Sequence, residues 1–212
     1  MFKKIILVLI TVIGAQATDT FIEYTQTIES TQKNYVYQIQ PLEELVGNGG
    51  TKHEITLGKR ASENFSYGVG LGYVPDTSEF ETSLKLRIQT NTTSGLNAFL
   101  GTRVGMGMQT GQKEKQLSTN ITKLDYSTQS NLEAFKTPST GVLTEDPLFL
   151  DMGASIGVSY KVFKNVEAFL SYEYQVKYWQ VDYRVRGKES VENRIVEAQR
   201  LNNIAFGLTY LF

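Results

Sequence analysis

Ile204-Ala205-Phe206-Gly207-Leu208-Thr209-Tyr210-Leu211-Phe212 closes the chain. Ile204, Phe206, Leu208, Tyr210 and Phe212 are apolar, while Ala205, Gly207 and Thr209 between them are small or polar, with Leu211 the exception. The period is two, so the stretch reads as a strand with one apolar face. Many antiparallel sheets contain such a strand. What narrows the choice is the terminal aromatic residue together with the opposite end of the chain.

That opposite end reads as the start of a secreted precursor. Lys3 and Lys4 precede an apolar run from Ile5 to Ile13, and Ala15-Gln16-Ala17 follows as a small-x-small cleavage site. This is the layout of a secretory signal peptide. Residues 1–17 are therefore predicted to be removed, leaving 18–212 as one domain. The apolar run is shorter than the roughly 20 residues a spanning helix needs. No other run approaches that length, so any membrane crossing falls to strands.

Composition excludes several classes. The 212 residues hold 21 Lys and Arg against 22 Asp and Glu. The predicted signal peptide carries two of the basic residues and none of the acidic ones, so the remainder has a net charge of −3 (19 against 22). Nucleic-acid binding, which needs a basic patch, is not expected. With no cysteine there is neither a disulfide framework nor a thiolate metal site.

Eight strands are predicted, near 33–40, 51–59, 64–74, 80–90, 95–108, 148–162, 165–183 and 200–212. The clearest is 148–160, where Leu148, Leu150, Met152, Ala154, Ile156, Val158 and Tyr160 share one face. Helical packing would mix these residues with the polar set between them. Connections after strands 2, 4 and 6 are short, and those after 1, 3, 5 and 7 are mostly longer. That parity is the signature of an outer-membrane barrel with short periplasmic turns and longer outer loops. The expected fold is thus all-β: an eight-stranded antiparallel transmembrane β-barrel, an up-and-down meander with both termini periplasmic. All four prolines fall in the predicted outer loops or their edges, where they interrupt no ladder. Ten glycines fall on the strand face opposite the apolar set, as the cramped interior of a small barrel requires.

The same parity assigns charged residues to the lumen: Glu54, Glu81, Asp151, Glu167 and Glu173, with Lys85, Arg87, Arg103, Lys161 and Lys177. Five of each sign make a neutral interior. These groups would fill the lumen as an ion-paired plug, or line a narrow polar pore. Facing outward, Phe65, Tyr67, Tyr160, Phe163, Tyr210 and Phe212 form one predicted aromatic girdle. Tyr73, Phe80, Tyr174 and Tyr178 form the other. Trp179 and Tyr183, at the outer end of strand 7, are expected above the membrane.

The chain resembles the small OmpA/OmpX-like outer-membrane β-barrel proteins. The resemblance rests on Tyr67-Gly68-Val69-Gly70-Leu71-Gly72-Tyr73, on Met152 to Tyr174 and on Ile204 to Phe212. Gly207, Tyr210 and Phe212 match the spacing of that family's C-terminal assembly signal, Gly-x-x-aromatic-x-aromatic. The resemblance implies insertion by the barrel-assembly machinery, outer-membrane lipid as the surrounding partner, and a monomer. It does not specify activity, because one barrel hosts adhesins, structural proteins, channels and lipid enzymes.

An enzymatic site would have to pass through His53, the only histidine, with Asp76 and Ser78 in a neighbouring loop. The sequence reads His53-Glu54-Ile55, without the His-x-Ser of lipid A deacylases, so no catalytic residue is assigned. No cofactor is expected either. The predicted role is structural or surface-interactive, carried by outer loops, with a small-solute channel as the alternative and a lipid-modifying enzyme third. The polar loop at 109–147 is predicted to be surface-exposed, as a binding loop or a mobile one.

Overall fold

A computed structural model describes residues 19–31, 50–114, 116–119, 139–185 and 192–212. Ten strands occur among them: β1 (Thr20–Ile28), β2 (Thr51–Ser62), β3 (Phe65–Val74), β4 (Glu79–Gln89), β5 (Leu96–Gln109), β6 (Gln116–Thr119), β7 (Ser139–Leu143), β8 (Leu148–Phe163), β9 (Val166–Val185) and β10 (Glu192–Leu211). Eight of them close a barrel in the order β1-β2-β3-β4-β5-β8-β9-β10, and β10 pairs back onto β1. Every neighbouring pair is antiparallel. Closure leaves the barrel wall without a free edge.

The barrel wall follows the predicted meander with one correction. The first wall strand is Thr20–Ile28, not 33–40, a segment that lies outside the described residues. Phe21 pairs with Leu211 and Ile28 with Ile204, so β1 seals the seam against the final strand. Alternation explains the placement: Glu23, Thr25 and Thr27 are buried, while Ile22, Tyr24 and Ile28 are exposed outward.

The two ends of the barrel differ. At the end holding Thr20 and Phe212, the connections are tight turns at 63–64, 90–95 and 164–165. At the other end lie the short β3–β4 turn at 75–78 and the long connection between β5 and β8. There β6 and β7 form a hairpin, and β7 extends the sheet by pairing Gly141 with Val185 and Leu143 with Tyr183 of β9. The predicted 109–147 loop is thus partly strand. Asp146 ties down its base by accepting the backbone N–H groups of Gln112 and Lys113 at 2.8 and 2.9 Å. Slight burial works against its charge, but these N–H groups and that of Gly111 prevail and hold its pKa below the ordinary carboxylate range.

Core and surface are inverted relative to a water-soluble protein. Large aliphatic side chains point outward and are exposed, with Leu84, Ile88, Leu100, Val104 and Ile156 all at 60–62 %. Inside, most of the buried side chains are polar or charged. A continuous apolar exterior of this extent marks a surface made for lipid or a partner rather than water. The predicted girdle residues also face outward, and Tyr73 and Phe80 pack ring to ring at 4.6 Å.

Candidate functional site: the filled lumen and its two mouths

The interior is one column of charge that begins above a layer of rings. Near the termini, Phe21, Phe99 and Phe169 point inward and line the base of a cavity of about 60 Å³. The Arg87 guanidinium lies 4.4 Å from the Phe99 ring centre and 4.9 Å from that of Phe169, the geometry of cation–π attraction. Arg87 also reaches Glu23 at 2.9 Å, and Glu23 accepts a hydrogen bond from Thr209 at 2.9 Å.

Arg103 forms the middle of the column. It contacts Glu81 and lies 3.4 Å from Glu54, 3.1 Å from Asp151 and 3.6 Å from Glu173. Lys85 supplies a second cation to Glu54. Gln175 donates to Asp151 at 2.8 Å and accepts from Asn203 at 2.9 Å, which links β8, β9 and β10 by side chains. Above this, Lys52 bridges Glu29 and Glu81 at 3.4 and 3.6 Å. Lys177 bridges Glu29 and Glu79 at 3.1 and 2.7 Å. The column is capped by Trp179, fully buried against Phe149 at 4.7 Å, its indole N–H donating to Gln199 at 3.0 Å. Trp179 therefore points into the barrel.

The predicted lumen residues divide accordingly. Glu54, Glu81, Asp151, Glu173, Lys85, Arg87, Arg103 and Lys177 meet in this column. Glu167 lies at the terminus end, bound through both oxygens to Arg60 at 3.0 and 3.1 Å. Lys161 is exposed at that same mouth. The sequence reading missed Glu23 and Glu29, which flank or belong to the misplaced first strand. It also missed Arg60 and Glu79, each one residue beyond a predicted strand, and Lys52, whose inward parity with Glu54 was legible. With these included, eight buried carboxylates (Glu23, Glu29, Glu54, Glu79, Glu81, Asp151, Glu167 and Glu173) face six cations (Lys52, Arg60, Lys85, Arg87, Arg103 and Lys177). Among the described residues the interior carries more carboxylates than cations.

His53 faces outward from β2. Its Nδ1 and the Tyr24 hydroxyl are hydrogen-bonded at 2.8 Å with their rings stacked. Asp76 and Ser78 belong to the β3–β4 turn, and Ser78 holds a positive φ of 55° there. Among the described residues, no group of three metal-ligating side chains converges on one point. At the last strand, Tyr210 and Phe212 pack edge to face at 5.2 Å on the outer surface, and Gly207 faces Phe169 inside.

No protein-family model matches the chain, and no curated protein does. Solved structures do. Neisserial surface protein A is similar over 93 % of this chain and 99 % of its own, at 15 % identity and a TM-score of 0.52. The Escherichia coli outer membrane protein W aligns over 93 % of this chain and 100 % of its own, at 13 % identity and a TM-score of 0.46. The N-terminal barrel of Pseudomonas aeruginosa OprF aligns over 92 % and 100 %, at 11 % identity and 0.42. What Neisserial surface protein A shares with this chain is the fold, a small closed antiparallel barrel.

Proposed function

We propose that this chain spans a bacterial outer membrane and serves a structural or surface-interaction role carried by its loop end. The observation that carries this reading is the filled lumen. Inward side chains from Arg87 to Trp179 meet one another, so the barrel presents an outer surface and two mouths rather than a conduit. The apolar exterior supports the membrane assignment, since a lipid-facing band between aromatic girdles is what a barrel wall requires. β9 and β10, at 20 residues each, exceed the roughly 9–11 residues a membrane strand needs. Their upper halves, with the β6–β7 hairpin, would form a sheet standing beyond the bilayer. That sheet is the surface offered to a ligand. Both termini would then lie in the periplasm.

The competing reading is a narrow channel, favoured by the charged lumen. Planar-bilayer recording separates the two. A plugged barrel gives no unitary conductance after reconstitution of the folded protein. Reproducible unitary steps, altered in size by Arg103→Ala, would replace the surface role with the channel.

A further inference from the structure

The mouth at the terminus end has a chemistry of its own. A recess of about 530 Å³ opens there, a volume in the ordinary range of ligand sites. Its walls come from the turns at 63–64 and 90–95 and the strand ends beside them, and are rich in amides and hydroxyls: Ser62, Gln89, Asn91, Thr92, Thr93 and Asn97. These walls are held in place by their own hydrogen bonds. Asn91 donates to Glu63 at 2.7 Å, Asn64 to the Gln89 carbonyl at 2.8 Å, and the Thr92 N–H to Asn97 at 2.9 Å. The recess is polar and preformed.

Two cations, Arg60 and Lys161, meet in this recess, and each stands at a β-bulge. The register slips between Arg60 and Ser62 against β3, and between Lys161 and Phe163 against β9. Bulges at a barrel rim re-aim the side chains beside them. Lys161 sits directly opposite Glu167 in the ladder. Yet the Glu167 carboxylate crosses the mouth and gives both oxygens to Arg60. One carboxylate thus stands near two cations and pairs with only one of them. The Lys161 ammonium is exposed and makes no ion pair among the described residues, and the buried Arg60 Nε–H has no acceptor. Asp19, Glu63 and Glu167 also line the recess and Arg60 is already paired, so a multiply charged anion is disfavoured and a single ligand charge has only Lys161 to meet. A ligand must bring one carboxylate to Lys161 and amide groups to the walls.

We propose that this recess binds the C-terminal carboxylate of an acylated peptide, with Lys161 as the charge partner and the turn amides and hydroxyls as peptide-bond partners. Capture of a terminal carboxylate in such a pocket is a recurring recognition mode. The inference goes beyond the role proposed for the loop end, because it concerns the opposite mouth and holds in either orientation of the barrel. The ligand could be the end of a protein chain or of a cell-wall stem peptide; the two differ in the handedness of the last residue.

The test is a titration of the detergent-folded full-length protein with N-acetyl-L-Ala-L-Ala and N-acetyl-D-Ala-D-Ala, followed by amide chemical shifts. Saturable shifts confined to the turns at 62–64 and 91–97 are expected with at least one of the two, and the tighter enantiomer names the source. Lys161→Gln should weaken that binding about tenfold, as loss of one charge-assisted contact does. The affinity should also fall with ionic strength. Because Lys161 stands outside the lumen column, the variant should keep the shifted gel mobility of the folded barrel. The proposal is overturned if neither dipeptide shifts these amides, or if Lys161→Gln binds as tightly as the parent. A failure here would leave the bilayer recordings, and the reading they test, untouched.

Discussion

Phe169 lies directly opposite Gly207 in the β9–β10 ladder, and its ring occupies the space a Cβ on Gly207 would need. The relationship recurs at every inward phenylalanine. Phe21 covers Gly58, Phe99 covers Gly157 and Phe149 covers Gly107, each in direct register. A narrow barrel cannot hold two large inward groups side by side, so each ring is matched to a residue with no side chain. The ring in turn shields the exposed glycine backbone, the arrangement known as aromatic rescue.

Phe169→Ala should therefore cost about 3–5 kcal/mol, as large-to-small changes in filled cores do. Gly157→Val should cost about 1–3 kcal/mol by overpacking against Phe99. Urea unfolding from lipid vesicles measures both. The single Trp, Trp179, is buried at the loop end and reports the transition by fluorescence. Parent-like midpoints in both variants would mean that the rings do not fill the lumen.

Arg103 holds the middle of the column against four carboxylates. Removing one partner of a buried ionic group strands the others, at about 3–5 kcal/mol. Arg103→Met should show that loss in the same unfolding assay. Lys161→Gln, outside the column, should not. Equal stability of the two variants would mean that water, not the guanidinium, compensates the carboxylates.

The two faces of the wall make opposite demands. Ile156 and Leu170 are exposed outward. If they face the bilayer interior, arginine at either site should destabilise by roughly 2–4 kcal/mol. Lysine at Arg87, on the inward face, should be milder, because the charge toward Glu23 is kept. The assignment of a lipid face fails if the three variants insert and unfold alike.

The final strand closes the seam through β1, so the chain's last residues should govern assembly. Deleting Phe212, whose N–H donates to the Thr20 carbonyl at 3.0 Å, removes one seam bond and the ring against Tyr210. Fractionated cells should then show less protein in the outer membrane and more degraded in the periplasm. Undiminished membrane levels would deny these residues that role.

The loop end yields a pH test. Asp146 has its pKa lowered by backbone N–H groups, so its contribution is present above the unfolded carboxylate pKa and is lost as pH falls through the lower folded value. Trypsin added to intact cells should cut at exposed Lys113, and faster in Asp146→Asn, in which the loop base is loosened. Cleavage seen only after the outer membrane is permeabilised would place this end in the periplasm and remove the surface role.

Much of this architecture was legible because lipid exposure makes alternation strict. From β2 to β5 and β8 to β10, each exposed Leu, Ile, Val or Tyr advertises the face it occupies. β1 was not legible, since Phe21 points inward among Glu23, Thr25 and Thr27, while Gln26 interrupts the outward set. The segment at 33–40 alternates more cleanly, and no rule of periodicity distinguishes a wall strand from another alternating stretch. β6 and β7 were hidden for a related reason: Leu117, Val142 and Leu143 are too few among Gln, Ser, Thr and Gly to show an alternating apolar face. The lumen charges followed from parity wherever the strand was known. Which charge meets which did not, because that depends on shear and on Arg60 and Glu79, just past the predicted ends. The Phe–Gly matching also needs register, a property of two strands rather than of one.

The column also bears on time. Lys177 and Glu29 are separated by 148 positions, Arg60 and Glu167 by 107, and Thr209 and Glu23 by 186. None of these contacts can form before the wall has nearly closed, so they are absent from any early, partly closed state. Interactions missing from the folding transition state leave the folding rate almost unchanged and slow the reverse reaction instead. The interior charges thereby lengthen the lifetime of the finished barrel. For a barrel standing in the outer membrane, as proposed, that lifetime would matter more than the equilibrium constant.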